Sequence, residues 1–306
     1  MRTKQFGKKK RKRFWKDWQL YVLLLPAMVY LFLFNYMPIY GVQIAFRDFS
    51  PKLGIWGSEW VGLQFFKQFV NYPNFVLLLR NTLEIGIYTL LTFPCAVIFA
   101  LMLNEVHNKK LKKGMQMISY IPYFLSTVVV CSMVTLFFDQ KTGIVNKVIE
   151  ILGGNRIDFL TEPAMFADIY VWSGVWQSLG FGAIIYIAAL SGVPAELVEA
   201  AKIDGAKRLQ IIWHVNLPCI LPTIIIMLIL SCGGIISVGS EKVLLLQNAL
   251  NISRSQVIST YVYEMGIRGG AYSYSAAIGL FNNAVSFVII AIVNTISKKV
   301  GETSLW

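Results

Sequence analysis

A chain of 306 residues that is 56% hydrophobic, 14% charged and +0.59 in mean hydropathy is too poor in charge for a soluble domain, in which about a quarter of residues are charged. Its formal net charge of +12 is concentrated at the start, MRTKQFGKKKRKRFWK. A basic arm can meet nucleic acid or acidic lipid. Here an apolar run follows within a few residues, so lipid headgroups and membrane orientation are its partners and nucleic acid is not.

A membrane-crossing helix needs about 20 mostly apolar residues, and six stretches qualify, all α-helical. Residues 1–17 read as a basic arm and 18–306 as one six-helix membrane domain. The first span, 18–41, is too long for a signal-peptide core and lacks a small-residue cleavage site, which predicts a retained helix. Residues 47–76 then mix Gly and Pro with Trp56, Trp60, Phe65, Phe66 and Phe69, the composition of an interfacial helix. The second span, 77–103, holds Arg80 and Glu84 four apart, a spacing that lets them neutralise each other at the membrane edge. The third span covers 115–138 and the fourth 166–190. The fifth covers 218–238 and the sixth 274–296. Residues 139–165 and 239–273 are polar enough to face water, either to meet a partner or to pack at the interface. Cys95, Cys131, Cys219 and Cys232 lie in apolar stretches without Cys-x-x-Cys spacing and read as packing residues.

Lys and Arg set the orientation. Eighteen fall on the side of the N-terminal arm, residues 107–113, the loop after the fourth span and Lys298-Lys299; nine fall on the other. Both termini are therefore predicted to be cytoplasmic, together with the loop at 191–217. That loop starts a helix at Pro194, places Glu196 and Glu199 near its positive end, shows a small Ala200-Ala201 face, bends at Gly205, restarts at Lys207-Arg208 and stops at Leu217-Pro218.

No phosphate-binding G-x-x-x-x-G-K-[ST] occurs, nor H-E-x-x-H or G-x-S-x-G. No metal site is expected from His107 and His214. The spans hold almost no deep carboxylates, against an ion-coupled transporter, and no catalytic cluster, against a membrane enzyme. They do hold Trp172, Ser173, Trp176, Gln177 and Phe181 in the fourth, Ser231 and Ser237 in the fifth, and Asn282 in the sixth. Amides, hydroxyls and rings suit a neutral polyol; interhelical packing is the alternative for each.

Glu199-Ala200-Ala201, three residues, Gly205, nine residues, then Val215-Asn216-Leu217-Pro218 resembles the E-A-A-x3-G-x9-I-x-L-P motif of ABC importer permeases, with Val215 in place of Ile. The six spans and the N-terminal third resemble the maltose-type binding-protein-dependent permeases, in particular the LplB-like oligo- and polysaccharide branch. The resemblance implies a type I importer of the MetI-like permease fold in a bacterial, Gram-positive plasma membrane. It further implies a second homologous permease, two ATPase subunits that carry the ATP and Mg2+, an extracellular solute-binding lipoprotein and a sugar substrate. This chain would itself hold no cofactor. ATPase coupling would fall to Glu196, Glu199, Ala200, Ala201, Asp204, Gly205, Lys207, Leu217 and Pro218. The sugar path would use Ser173, Gln177, Phe181, Ser231 and Ser237, with Trp172, Trp176 and Asn282 beside them.

Overall fold

The computed structural model describes residues 18–301, and the basic arm lies outside them. The chain is helical apart from one two-stranded antiparallel ribbon, β1 (Arg47–Asp48) on β2 (Glu59–Trp60). Helix α1 begins at Trp18 and continues through a π turn and a 3-10 segment to Phe46. It is apolar all round, and its residues up to Tyr40 are exposed, as for a helix whose neighbours are lipid or another chain. The stretch predicted to be an interfacial helix folds instead as the ribbon plus a short α2 (Gln64–Val70). Its Phe69 is buried against Phe75, Tyr261 and Phe281, because closing that aromatic cluster removes more ring surface from water than lying flat would.

The second span is α3 (Phe75–Leu91) and α4 (Pro94–Asn104), broken at Thr92-Phe93. Pro94 sits at the first turn of α4, where its missing N–H costs nothing. The third span is not a straight crossing. Helix α5 (Lys109–Tyr120) with a 3-10 turn to Phe124 and α6 (Thr127–Phe138) meet at 102°. The bend has three local causes. Pro122 tightens the turn, Leu125 is extended, and the Ser126 hydroxyl caps α6 by accepting from Val129 N–H at 3.4 Å. By length and composition there are five candidate spans, six if the bent pair counts as one.

Helix α7 (Ile144–Ile151) precedes α8 (Phe166–Ser191), the fourth span. Helix α9 (Ala195–Ile203) turns at Gly205 into α10, which runs unbroken from Arg208 to Gly233. The predicted stop at Leu217-Pro218 is therefore corrected. A π turn over Ile212–Asn216 widens the backbone just ahead of Pro218, so the ring is accommodated and the loop helix becomes the foot of the fifth span. Helices α11 (Ser240–Leu246) and α12 (Ile258–Tyr263) lead to α13 (Tyr272–Gly301).

Residues 139–165 and 239–273, expected to face water, form a cap over one end of the bundle with an exposed outer surface and a packed inner one. Buried asparagines hold it. Asn251 donates to the Leu160 and Leu246 carbonyls at 2.9 and 3.1 Å, and Asn146 donates to the Ile157 carbonyl and accepts from its N–H. From α3, Asn81 donates to the carbonyls of Ser253 and Gln256 and Thr82 accepts from Ile258 N–H. These bonds satisfy loop backbone that has no ladder of its own. At the cap surface, the hydroxyl and N–H of Thr142 hold Asp139 below the usual carboxylate range. Arg80 and Glu84 pair at 3.8 Å as the spacing predicts, and Arg254 of the cap joins Glu84 at 2.8 Å.

Candidate functional site

At the end of the bundle opposite the cap, α9 and α10 form a hook. Glu196 lies in the first turn of α9, where the helix dipole favours it. Gly205 closes the helix at φ +79. Its N–H donates to the Lys202 carbonyl at 3.0 Å, and Ala206 N–H donates to the Ala201 carbonyl at 2.9 Å, the paired bonds of a glycine C-cap. The Gln210 side chain then accepts from Lys207 N–H at 2.7 Å and starts α10. Ala201, Asp204, Gly205, Gln210 and His214 line a hollow of about 280 Å³ in the crook.

Of the sequence-predicted coupling residues, Glu196, Glu199, Ala200, Asp204, Gly205 and Lys207 are exposed and Ala201 is half-buried. Leu217 and Pro218 lie further up α10, apart from the hollow. Sequence reasoning passed over Ile203 (86% exposed), Leu209 and Trp213, which flank the hook with bare apolar surface. The signal was present: large apolar side chains in a charged segment between spans have no lipid core to face, so a protein partner is their natural cover.

Beneath the cap, α3, α4, α8 and the cap end of α10 enclose a cavity of about 490 Å³, within the usual size of a small-molecule cleft. Phe181, Ser231 and Ser237 of the predicted set line it, with Tyr170 of the same span and with Thr89, Tyr123 and Ser178, which sequence reasoning missed. Phe181 stacks on Tyr123 with ring centroids 3.8 Å apart. Thr89, Ser178 and Ser231 each donate to a carbonyl of their own helix at 2.8 Å. Their oxygens are thereby left as acceptors toward a ligand. No Asp, Glu, Lys or Arg lines this cavity.

The other predicted residues lie elsewhere. Trp172, Ser173 and Trp176 line a second cleft of about 560 Å³ with Met133, Phe137 and Phe159. Ser173 is turned back onto the Ile169 carbonyl, and Trp172 donates to Tyr88, which donates to Asp168 at 2.7 Å. Gln177 donates at 3.1 Å to the Leu125 carbonyl at the α5–α6 bend. Asn282 donates to the Ile236 carbonyl at 3.3 Å, and its own carbonyl is buried without a partner.

Comparison with known proteins bears on the family and the fold. Residues 93–302 match the family model described as binding-protein-dependent transport system inner membrane component. Among curated proteins, the chain is 44% identical to Protein LplB of Bacillus subtilis over 95% of this chain and 92% of that one. It is 41% identical to the polygalacturonan/rhamnogalacturonan transport system permease protein YteP of the same organism, over 98% and 95%. Among solved structures, it superposes with a TM-score of 0.87 and 37% identity on a chain of a bacterial ABC transporter involved in the import of the acidic polysaccharide alginate, over 96% of this chain and 99% of that one. With an all-helical architecture of five or six candidate spans, an extended family match and relatives at this identity, the chain belongs to the family of binding-protein-dependent transport system inner membrane components, as a multi-pass permease subunit of an ABC importer.

Proposed function

We propose that the chain forms half of the translocation path of an ATP-driven importer of oligosaccharides or polysaccharide fragments. The carrying observation is one continuous helix, α10, whose foot is the exposed Gly205 hook and whose far end brings Ser231 to the cavity. An exposed hook with a hollow and bare apolar flanks suits a soluble partner at one membrane face. An uncharged cavity rich in hydroxyls and rings suits sugar at the other end. The hook end is the cytoplasmic one, consistent with the two-to-one excess of Lys and Arg on that side.

The partners of this reading are two ATPase subunits that receive the hooks and carry ATP and Mg2+, a second homologous permease, and an extracellular solute-binding lipoprotein. The exposed α1 faces that second permease and lipid. The host is a Gram-positive bacterium, in line with the Bacillus relatives. A solved relative is described as an alginate transporter in complex with an alginate pentasaccharide-bound periplasmic protein, which supports the delivery step. An ion-coupled reading lacks its main requirement, since no carboxylate lines the cavity.

The test is purification from native membrane followed by reconstitution. An ATPase should co-purify, and sugar-loaded binding protein should stimulate both hydrolysis and uptake. Sugar uptake that persists with the ATPase removed would refute the assignment.

A further inference from the structure

Helix α5 opens with Lys109, Lys110, Lys112 and Lys113, and no acidic residue stands between Glu105 and Asp139. None of the four lysines has an ion-pair partner among the described residues. Lys109, Lys110 and Lys113 are exposed and Lys112 is half-buried. The charges also sit where a helix least favours them. The Asn108 side chain accepts from the N–H groups of Lys110 and Leu111 at 3.0 and 3.2 Å, which fixes the start of α5. The positive end of the helix dipole therefore coincides with four cations. Nothing inside the chain compensates the cluster, and an anion outside it would.

The depth of the cluster follows from the chain on either side. Helix α4 ends the second span at Asn104, a short loop before Lys109. The lysines thus stand at a membrane surface, on the side that the Lys and Arg excess marks as cytoplasmic. Leu111, Met115 and Ile118 form a row on the helix face opposite Lys109 and Lys113, and Leu111 and Ile118 are exposed. A bare apolar row on a helix at that depth faces lipid. Lys112, Met115 and Ser119 form the neighbouring row. Met115, Ile118 and Ser119 line an open cleft of about 340 Å³ with Phe99 of α4 and Trp176 and Leu179 of α8, and no charged side chain lines it. Lys112 continues that row at the basic end of the cleft. An apolar groove with unpaired ammoniums at one end is complementary to an anionic amphiphile.

We propose that α5 is a binding site for an anionic phospholipid of the inner leaflet. The phosphate lies among Lys109, Lys112 and Lys113, which are neighbours at i, i+3 and i+4, and an acyl chain occupies the cleft against Phe99 and Trp176. The site bears on transport because the far end of α5 grips the cavity wall. A Cβ on Gly180 of α8 would collide with the Ser119 backbone. Gln177 donates to the Leu125 carbonyl just beyond, and Phe181, a cavity residue, stacks on Tyr123. A lipid that holds α5 holds that wall, so anionic lipid sustains uptake. The lipid site itself is independent of which solute is carried.

The experiment uses the complete complex and two readouts. The first is its melting temperature in neutral detergent as phosphatidylglycerol is added. The second is uptake driven by loaded binding protein, in vesicles of phosphatidylcholine alone and of phosphatidylcholine and phosphatidylglycerol in equal parts. Wild type should melt higher with phosphatidylglycerol and take up solute about fivefold faster in the anionic vesicles. Inorganic phosphate and glycerophosphoglycerol, which lack acyl chains, should not raise its melting temperature. Combining Lys109→Gln, Lys110→Gln, Lys112→Gln and Lys113→Gln should abolish the melting shift and bring uptake in the two vesicles within about twofold. Lys112→Gln alone should lose part of the shift, and the same four positions changed to Arg should behave as wild type. A wild-type melting temperature unmoved by phosphatidylglycerol overturns the site, and equal wild-type uptake in the two vesicles overturns its role in transport. A full shift in both Gln variants also overturns the proposal by placing the lipid elsewhere on the chain. Loss of the ATPase from the fourfold Gln complex on size-exclusion chromatography would make the lysines a protein contact and overturn it as well.

Discussion

Gly205 separates two causes that substitutions usually confound. Its φ of +79 lies in the left-handed region, and no atom stands within 4 Å of where a Cβ would be. A side chain there meets nothing inside this chain, so its internal cost is backbone strain alone. For a β-branched residue that strain is about 1–2 kcal/mol, and releasing it breaks the Gly205 and Ala206 cap bonds to Lys202 and Ala201. A cost of that size lowers the hook's population about five- to thirty-fold relative to an opened loop. Asn tolerates the same conformation, so Gly205→Asn keeps the hook and adds bulk, whereas Gly205→Val adds bulk and strain. In proteoliposomes, ATP hydrolysis stimulated by loaded binding protein and sugar uptake are measured together. Gly205→Val should uncouple them, with uptake reduced tenfold or more, and Gly205→Asn should retain at least a third of wild-type uptake. Full coupling in Gly205→Val would refute the docking role. Equal losses in both would refute the conformational argument and place the effect on bulk against the partner's surface.

Gln177→Ala removes the amide donor from the Leu125 carbonyl, so it should cost about 1 kcal/mol of stability, seen as a lower melting temperature; a raised KM for sugar at unchanged stability would instead put Gln177 in the path. Phe181→Ala dissolves the stack on Tyr123 and should lower uptake severalfold in an assembled complex, with Ser231→Leu doing the same by filling the cavity. Glu84→Gln should cost under about 1 kcal/mol, because both of its arginine pairs are exposed, and chemical denaturation would show it. For Lys242, the fall from an ordinary 10.5 to about 8 corresponds to about 3 kcal/mol of burial cost, present below pH 8 where folded and unfolded states are both protonated, and lost by pH 10.5 where both are neutral. Sugar-free Lys242→Met should therefore melt above wild type at pH 7, and the gap should close as pH rises towards 10.5; a gap independent of pH would contradict the burial argument.

The hook was legible because its chemistry is local. A positive-φ glycine four residues after Ala201 of Glu199-Ala200-Ala201, and a polar restart at Lys207, act within one turn of where they stand in sequence. The bend at Leu125-Ser126 was hidden inside MQMISYIPYFLSTVVV, which is apolar enough for a straight crossing. Its local causes, Pro122, extended Leu125 and the Ser126 cap, are joined by a bond to the Leu125 carbonyl from Gln177, a residue fifty-two positions away. The same distant bond could not be foreseen for Gln177: a polar amide on a span shows its capacity in sequence but not its partner. The cap read as polar and water-facing, and much of its surface is exposed, but sequence did not show that the amides of Asn146, Asn248 and Asn251 are spent on loop carbonyls inside it. Thr89 and Ser178 escaped notice since a hydroxyl bonded to its own helix looks ordinary until neighbouring helices place it on a cavity wall.

The continuity of α10 gives the proposed coupling a physical route. From Arg208 to Gly233 the helix holds 26 residues, or about 39 Å at 1.5 Å per residue. Ile220 is buried against Val97, Ala100, Ala183 and Tyr186 of α4 and α8, and Ala100 and Ala183 are small enough to let the helices approach closely. That contact is the natural fulcrum. The two places where the backbone is weakest bracket it, the π turn at Ile212–Asn216 below and Pro222 above. Motion imposed on the Gly205 hook therefore reaches Ser231, about 16 Å beyond Ile220, as a tilt of helix segments about a fixed contact. A tilt moves one wall of the cavity against Thr89 and Phe181 without unpacking the fulcrum. The sugar end and the ATPase end of such a subunit are then coupled by a single stretch of backbone, and the substitutions that should separate them lie at its bends and not in its ligand contacts.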